Sequence, residues 1–217
     1  MNIIILGQQG CGKGTQADVI SKKYSLIHVD MGKTLREVAK STTQLGREIY
    51  EIQNVTKTLV PSRILKEVLH IKLNSIPINQ GIVFDGVPRT LDQAGYIEEA
   101  LKEFGRRIDK VFFVNISESE SIRRISKRWM CSGCKRTLIM GKDVQNELAG
   151  CPECNGEIIQ RIDDTIEGIK KRLQVFKLET VPVLNKYATE NLLKKIDGEQ
   201  SIEDVFSEID GELNNLQ

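Results

Sequence analysis

Short apolar runs alternate with stretches of helical periodicity along most of the chain, a pattern typical of a parallel sheet covered by helices. The runs contain few polar residues, as expected of strands that are buried on both faces. They predict five strands, at Asn2–Leu6, Ile27–Asp30, Gly81–Asp85, Lys110–Asn115 and Leu192–Ile196. We therefore predict an α/β fold with three layers, α/β/α, around a five-stranded parallel sheet.

Two of the intervening stretches show a clear helical pattern. In Ser62–Leu73, five apolar residues share one face at spacings of three and four residues. Asp164–Lys186 predicts a longer helix with a buried apolar stripe. Pro182 predicts a kink in that helix, because proline removes one intrahelical hydrogen bond.

The alternation breaks once, from about Trp129 to Gln160, where turn residues and paired cysteines collect. Cys131 and Cys134 have two residues between them, as do Cys151 and Cys154, and sixteen residues separate the pairs. This spacing predicts a tetrahedral four-cysteine zinc site, and four protein ligands leave no open position, so the metal is expected to be structural. Two disulfides or unreactive thiols are the alternative, which a reducing compartment disfavours.

Composition and charge narrow the classes of function. The 217 residues carry a net charge of +1 and only 5% are aromatic, which disfavours a nucleic-acid partner. The apolar runs are too short to span a membrane, and the N-terminus has no basic leader. We therefore expect a cytoplasmic protein with neither a membrane nor a nucleic-acid partner.

The segment GQQGCGKGT, residues 7–15, lies between the first predicted strand and the first helical stretch. Its glycines allow backbone N–H groups to surround phosphate oxygens at a helix N-terminus, and Lys13 reaches the outer phosphates. The hydroxyl that usually follows the lysine directly comes one residue late, at Thr15. The pattern predicts a phosphate-binding loop, with an accidental glycine turn as the alternative.

The segment GIVFDGVPRT contains the third predicted strand and the turn after it. Asp85 stands at the carboxyl end of that strand, where parallel sheets place their ligands. Its carboxylate would organise Mg²⁺ and its waters, and Arg89 would bind a second phosphate group. A strand-ending aspartate in an ordinary turn fits these residues equally well. A GTPase would require Asp-x-x-Gly and Asn-Lys-x-Asp, where this chain has DGVP and NKYA.

Five motifs occur in an order that resembles the adenylate kinases of the long, zinc-containing bacterial type. They are GQQGCGKGTQ, FDGVPRT followed by Gln93, RRISKR, QRIDD and KKRL, and the resemblance covers essentially the whole chain. In that family the loop hydroxyl also comes one residue late. The resemblance implies a P-loop NTPase-type fold, a monomer, and the reaction ATP + AMP ⇌ 2 ADP, with Mg²⁺ on the ATP and a structural zinc ion.

The resemblance also implies roles for individual residues. Those implied in catalysis are Lys13, Asp85, Arg89, Arg124, Arg161 and Arg172. Those implied in ATP binding are Gly10, Cys11, Gly12, Lys13, Gly14, Thr15, Arg124, Arg128, Thr137, Leu138 and Gln200. Those implied in AMP binding are Met31, Arg36, Thr58, Leu59, Val60, Gly86, Val87, Pro88, Arg89, Gln93, Arg161 and Arg172. A solvated basic helix face, with ordinary ion pairs, is the alternative for the arginines.

The same resemblance divides the chain into a core and two covering pieces. The core would comprise residues 1–29, 62–127 and 163–217, with 30–61 over the monophosphate and 128–162 as a zinc-bound lid. One segment departs from the family pattern, because residues 30–36 read DMGKTLR where STGDMLR is usual. Met31 thus replaces a threonine and Lys33 replaces an aspartate. The acceptor base therefore stays open between AMP and GMP, CMP or UMP. A zinc-ribbon NTPase and a non-catalytic nucleotide sensor are the more distant alternatives.

Overall fold

A computed structural model describes residues 1–56, 60–160 and 164–216 of the chain. Its strands, in chain order, are β1 (Asn2–Leu6), β2 (Ile27–Asp30), β3 (Ile82–Asp85), β4 (Lys110–Asn115), β5 (Arg128–Cys131), β6 (Thr137–Ile139), β7 (Ile158–Ile159) and β8 (Leu193–Asp197). Its α-helices are α1 (Lys13–Lys23), α2 (Met31–Val38), α3 (Gln44–Tyr50), α4 (Ser62–Asn74), α5 (Leu91–Glu103), α6 (Glu118–Ser126), α7 (Ile166–Val175), α8 (Val181–Thr189) and α9 (Ile202–Asn214).

The main sheet has five parallel strands in the order β2-β3-β1-β4-β8. The predicted three-layer α/β fold is therefore confirmed. Two strands differ from the prediction by one residue at their ends: β3 begins at Ile82, and β8 runs from Leu193 to Asp197.

The first strand shows why the apolar runs are continuous. Ile4 and Leu6 pack on one face of the sheet in a cluster with side chains of α4, α5 and α8. Ile3 and Ile5 pack on the other face with side chains of α1 and α9. Because successive side chains of a strand point to opposite faces, a strand covered on both sides holds mostly apolar residues, and the buried Asn2 at its start donates a hydrogen bond to the Arg107 carbonyl.

The predicted helix in residues 62–73 is confirmed and ends one residue later, at Asn74. The predicted helix in residues 164–186 differs more. It begins at Ile166, after the Thr165 hydroxyl accepts a hydrogen bond from the backbone N–H of Gly168. A π-helical turn, Phe176–Thr180, then separates α7 from α8 directly before Pro182. An apolar stripe with a period of 3.6 residues gives no signal for such a turn.

The four-cysteine segment forms a second, small sheet, in which β5 pairs with β6 and β7 in antiparallel fashion. Its buried cluster consists of Cys131, Leu138, Val144, Cys151 and Ile158. Across the described residues, no helix has the length and apolar character needed to cross a membrane.

Candidate functional site

The loop after β1 leads into α1 through two glycines in the left-handed conformation. Gly10 has φ 77° and Gly12 has φ 88°, values that side chains other than glycine rarely adopt. Gly12 is the N-cap of α1, and no side chain caps the helix there. The first N–H groups of α1 are therefore left to an external acceptor, which is the arrangement that binds anions at helix N-termini.

The side chains of this loop have different surroundings. Lys13 is half-buried and Thr15 is exposed. Cys11 is buried, and burial raises the pKa of its thiol, with Lys13 acting in the opposite direction. A Cβ at Gly7 would lie 2.5 Å from the Cys11 sulfur. Cys11 thus fills space beneath the loop, and a ligand would contact residue 11 through its backbone.

Asp85 lies at the carboxyl end of β3, next to this loop. Its Oδ2 lies 3.2 Å from the position that a Cβ on Gly14 would occupy, and its Oδ1 is buried without a hydrogen-bond partner among the described residues. Buried polar atoms are nearly always satisfied by protein, water or an ion. The orphaned oxygen therefore fits a site in which Asp85 holds a hydrated cation.

His28 connects Asp85 to α1, a contact that the sequence did not indicate. Its Nδ1 lies 2.8 Å from Asp18 Oδ1, and its Nε2 lies 3.7 Å from Asp85 Oδ2. Burial lowers the pKa of His28, but the two carboxylates outweigh burial and raise it overall. His28, on β2, is thus a neighbour of the site and lies between Asp18 of α1 and Asp85 of β3.

The turn after β3 presents Arg89. Gly86 has φ 80°, the Val87–Pro88 peptide bond is cis, and Arg89 Nε donates to the Gly86 carbonyl at 2.9 Å. Desolvation by the surrounding protein lowers the pKa of Arg89; Arg172 and Arg36 act in the same direction, and Asp85 and Asp30 oppose them. The side chain of Arg89 is exposed to solvent, and it lies among these charged groups.

The predicted acceptor residues around this turn are mostly inward-facing. Gln93 is buried, and its Oε1 accepts a hydrogen bond from the Arg89 backbone N–H at 2.8 Å. Arg36 is exposed on α2. Four other predicted AMP-binding residues are buried: Met31, Val60, Val87 and Pro88. Thr58 and Leu59 lie outside the described residues.

Two of the predicted phosphate-binding arginines share one carboxylate. Asp164, whose side chain is 0% exposed, accepts hydrogen bonds from Arg128 at 2.8 Å and 2.6 Å and from Arg172 at 2.8 Å. Burial raises the pKa of Asp164, but the two guanidinium groups outweigh it and hold the pKa below its ordinary value. Asp164 thus brings β5 and α7 together. Arg161 and Asp163 lie outside the described residues.

Arg124 is held by a carboxylate of its own helix, α6. Its Nε lies 2.5 Å from Glu120 Oε1, and its Nη1 approaches the Gly10 carbonyl at 3.4 Å. Arg123 and Arg124 lower the pKa of Glu120 to about 2. The side chain of Arg124 therefore extends over the phosphate-binding loop while it remains paired.

The four paired cysteines lie together, with all their sulfur atoms within 4.8 Å of one another. The nearest sulfurs are 3.4 Å and 3.7 Å apart, so the two disulfides considered from the sequence are absent here. Burial opposes ionisation of Cys131, but the backbone N–H groups of Cys134 and Gly133 point at its sulfur and lower its pKa to about 6. Thiolates bind metals, so the cluster fits a metal ion.

The other predicted ATP-binding residues lie on the small sheet and after β8. Thr137 is exposed on β6, whereas Leu138 is 0% exposed in the core of the small sheet. Gln200 donates to Glu208 Oε1 at 2.6 Å and to the Asp197 carbonyl at 3.3 Å. Leu138 thus presents no surface to a ligand in this conformation.

Comparison with known proteins gives a consistent result. The family model described as adenylate kinase matches residues 5–192. The chain is 36% identical over 210 residues to an adenylate kinase of Caldicellulosiruptor bescii, with 96% of this chain and 97% of the relative covered. It is 35% identical over 217 residues to an adenylate kinase of Archaeoglobus fulgidus, with 100% of both chains covered.

The contacts of Asp164 predict that Asp164→Asn lowers the free energy of unfolding by a large amount that depends on pH. The variant should lose about 3–5 kcal/mol of unfolding free energy at pH 7, because two partly buried guanidinium groups lose the buried carboxylate that balances their charge. Since the pKa of Asp164 is lowered by folding, its stabilisation is complete above about pH 4 and is lost as the pH falls through the lowered value. Denaturant titrations should therefore show a constant difference from the wild type down to about pH 4 and a smaller one below it.

The exposed Asp92→Asn is the matched control for that experiment and should stay within about 0.5 kcal/mol of the wild type. A difference for Asp164→Asn that grew on acidification would contradict the structural account.

Proposed function

The chain belongs to the adenylate kinase family, and we propose that it transfers the γ-phosphoryl group of Mg·ATP reversibly to AMP, giving two ADP. The proposal rests on two features that lie at the same edge of the sheet. The uncapped N-terminus of α1 lies beside Asp85, and Arg36 and Arg172 are close enough to Arg89 for their charges to lower its pKa. This arrangement suits two phosphate groups that face each other.

The reaction requires little covalent chemistry from the protein. An oxygen of the AMP phosphate attacks the γ-phosphorus, and the bond from that phosphorus to the oxygen bridging to the β-phosphate breaks. The attacking oxygen needs no general base, because the second pKa of a phosphate monoester is about 6. Catalysis would rest on positioning, on neutralisation of charge and on exclusion of water.

On the donor side, the loop of residues 10–15 would hold the β-phosphate of ATP by its backbone N–H groups. Lys13 would accompany the transferred group, and Arg124 would contact it from α6. Arg124 already lies against the loop in this structure. Its guanidinium would exchange Glu120 for phosphate oxygens when ATP binds.

On the acceptor side, Arg36 and Arg89 would bind the phosphate of AMP, and Gln93 would contact the adenine. The buried Oε1 of Gln93 is bonded to the Arg89 backbone, so the side chain couples the base to the arginine that binds the phosphate. Arg161 and Arg172 would approach from the lid side.

The residues fit both metals that the family implies. Asp85 would hold Mg²⁺ through water, and Mg²⁺ would supply neutralisation of the charge that develops on the transferred phosphate. The four cysteines would hold a structural Zn²⁺, which stiffens a segment whose own core is small. We propose that residues 128–162 close as a lid and that residues 30–61 cover the acceptor.

The thiols and the net charge of the chain support a proposal for its cellular compartment and partners. Five thiols without a disulfide fit a reducing cytoplasm. A net charge of +1 offers no general attraction for nucleic acid or for an anionic membrane. We therefore propose a cytoplasmic monomer whose partners are ATP, AMP and ADP.

Phosphoryl transfer to a panel of monophosphates tests the proposed function. With Mg·ATP, we expect ADP formation to require a monophosphate and to favour AMP at least about tenfold in kcat/KM, with turnover in the range of about 1–100 s⁻¹. Lys13→Met should lower kcat by about 10²–10³-fold, whereas Lys194→Met, which removes a surface pair with Glu212, should not. A preference for GMP, CMP or UMP would change the acceptor and keep the mechanism. ADP formation that ignores every monophosphate would refute the proposal.

Metal content tests the proposed zinc site. The purified chain should hold about one Zn²⁺, measured by mass spectrometry of the native protein, and Cys151→Ser should lose it because three ligands bind less tightly than four. Cys11→Ser, outside the cluster, should keep the ion. The metal-free variant should be cleaved faster by protease within residues 128–162. A wild-type protein without metal, and with four freely reactive thiols, would contradict the assignment.

A further inference from the structure

Asp30 carries a charge that its structural role does not require. It ends β2, precedes α2 and pairs directly with Asp85 of β3 in the sheet. Its Oδ1 accepts a hydrogen bond from the Lys33 backbone N–H at 2.9 Å and so caps α2. Serine and asparagine cap helices as well as aspartate does. The negative charge of Asp30 therefore calls for a second explanation.

The Asp30 carboxylate points toward the same small space as the Arg36 guanidinium. A Cβ on Gly32 would lie 3.3 Å from Asp30 Oδ1 and 3.3 Å from Arg36 Nη1. Glycine at position 32 leaves this space open, so the two charges face each other across it. Asp30 is thus placed beside a guanidinium that the proposed function assigns to the acceptor phosphate.

Asp30 also acts on the second acceptor arginine. Burial and the neighbouring Arg172 and Arg36 lower the pKa of Arg89, and Asp85 and Asp30 are the carboxylates that oppose them. Asp85 is the residue proposed to hold the hydrated cation of the donor. Asp30 is then the carboxylate left to face the acceptor arginines.

We propose that Asp30 is an affinity-determining residue of the acceptor subsite, whose carboxylate partly neutralises Arg36 and Arg89 and repels the phosphate of the incoming monophosphate. The inference rests on the proposed function, because it takes those two arginines as ligands of the acceptor phosphate. A fixed charge near the phosphate weakens binding of the monophosphate and of the ADP formed from it by a similar factor. The ribose and the base are unaffected.

Two substitutions remove the charge and keep the helix cap, namely Asp30→Asn and Asp30→Ser. Calorimetry without ATP or Mg²⁺ should show that either variant binds AMP about three- to tenfold more tightly than the wild type at low salt. The affinity for ribose 5-phosphate, which carries the phosphate without a base, should rise by the same factor. The affinity for adenosine, which has no phosphate, should not change. The increase in affinity for AMP should become smaller as salt screens the charge.

Glu37→Gln is the matched control, since it removes an exposed carboxylate from the same helix. It should leave the dissociation constants of AMP and ribose 5-phosphate within about twofold of the wild type. Denaturant midpoints of Asp30→Asn and Asp30→Ser should agree with each other, which shows that both variants keep the cap.

The outcomes separate the inference from the function on which it rests. If the wild type makes ADP from ATP and AMP but Asp30→Asn binds AMP no more tightly, the inference is overturned and the proposed function stands. If Asp30→Asn instead weakens binding of Mg·ATP while AMP binding is unchanged, Asp30 belongs to the donor metal and the inference is again overturned. A wild type that binds neither AMP nor ribose 5-phosphate overturns both.

Discussion

Repulsion among cationic side chains is the constraint on which the rest of the structure depends. A site that binds several phosphates must collect guanidinium groups, and like charges at such distances repel strongly when they are partly buried. The protein meets this constraint with carboxylates. Asp164 holds Arg128 and Arg172, Glu120 holds Arg124, and Asp30 faces Arg36. Each carboxylate supplies negative charge where, in our proposal, a nucleotide phosphate later supplies it.

The parallel sheet explains where this collection of charges lies. Strands β1, β2 and β3 all end at one edge, and the residues that follow them are the glycine loop, the cap of α2 and the turn of Arg89. The continuous apolar strands keep that edge rigid because both faces of the sheet are buried. A paired carboxylate costs little to exchange for a phosphate that carries equal or greater charge. Ligand binding and closure of a lid would then be coupled through the same arginines.

Much of the fold was predictable because its signals are local. Five apolar runs predicted the five strands to within one residue at their ends, and the spacing of four cysteines predicted that their sulfurs meet. The π-helical turn at Phe176–Thr180 was missed, because an apolar stripe with a period of 3.6 residues is compatible with an unbroken helix. Pro182 was the available signal. It predicted an irregularity in the helix but not that the irregularity would be a π-helical turn.

The candidate site was predictable in part. Motif order brought Lys13, Asp85 and Arg89 into one hypothesis, but the partners that hold the arginines depend on contacts between distant segments. Asp164 reaches Arg128 across 36 positions of sequence, and no spacing rule predicts such a pair. Glu120 was within reach of prediction, since it precedes Arg124 by four residues on one helix. His28 and Asp30 end up beside Asp85 through strand pairing, whose register the sequence alone left open.

The central claim is that positioned cations transfer a phosphoryl group from ATP to AMP without a general base. The pH dependence of kcat for ADP formation from saturating Mg·ATP and AMP tests it most directly. We expect a plateau from about pH 7 to pH 9, because the acceptor phosphate is already ionised there and guanidinium groups stay charged. A bell-shaped profile within that range, with one limb abolished by His28→Gln, would show that a side chain moves a proton in the rate-limiting step and would contradict the account.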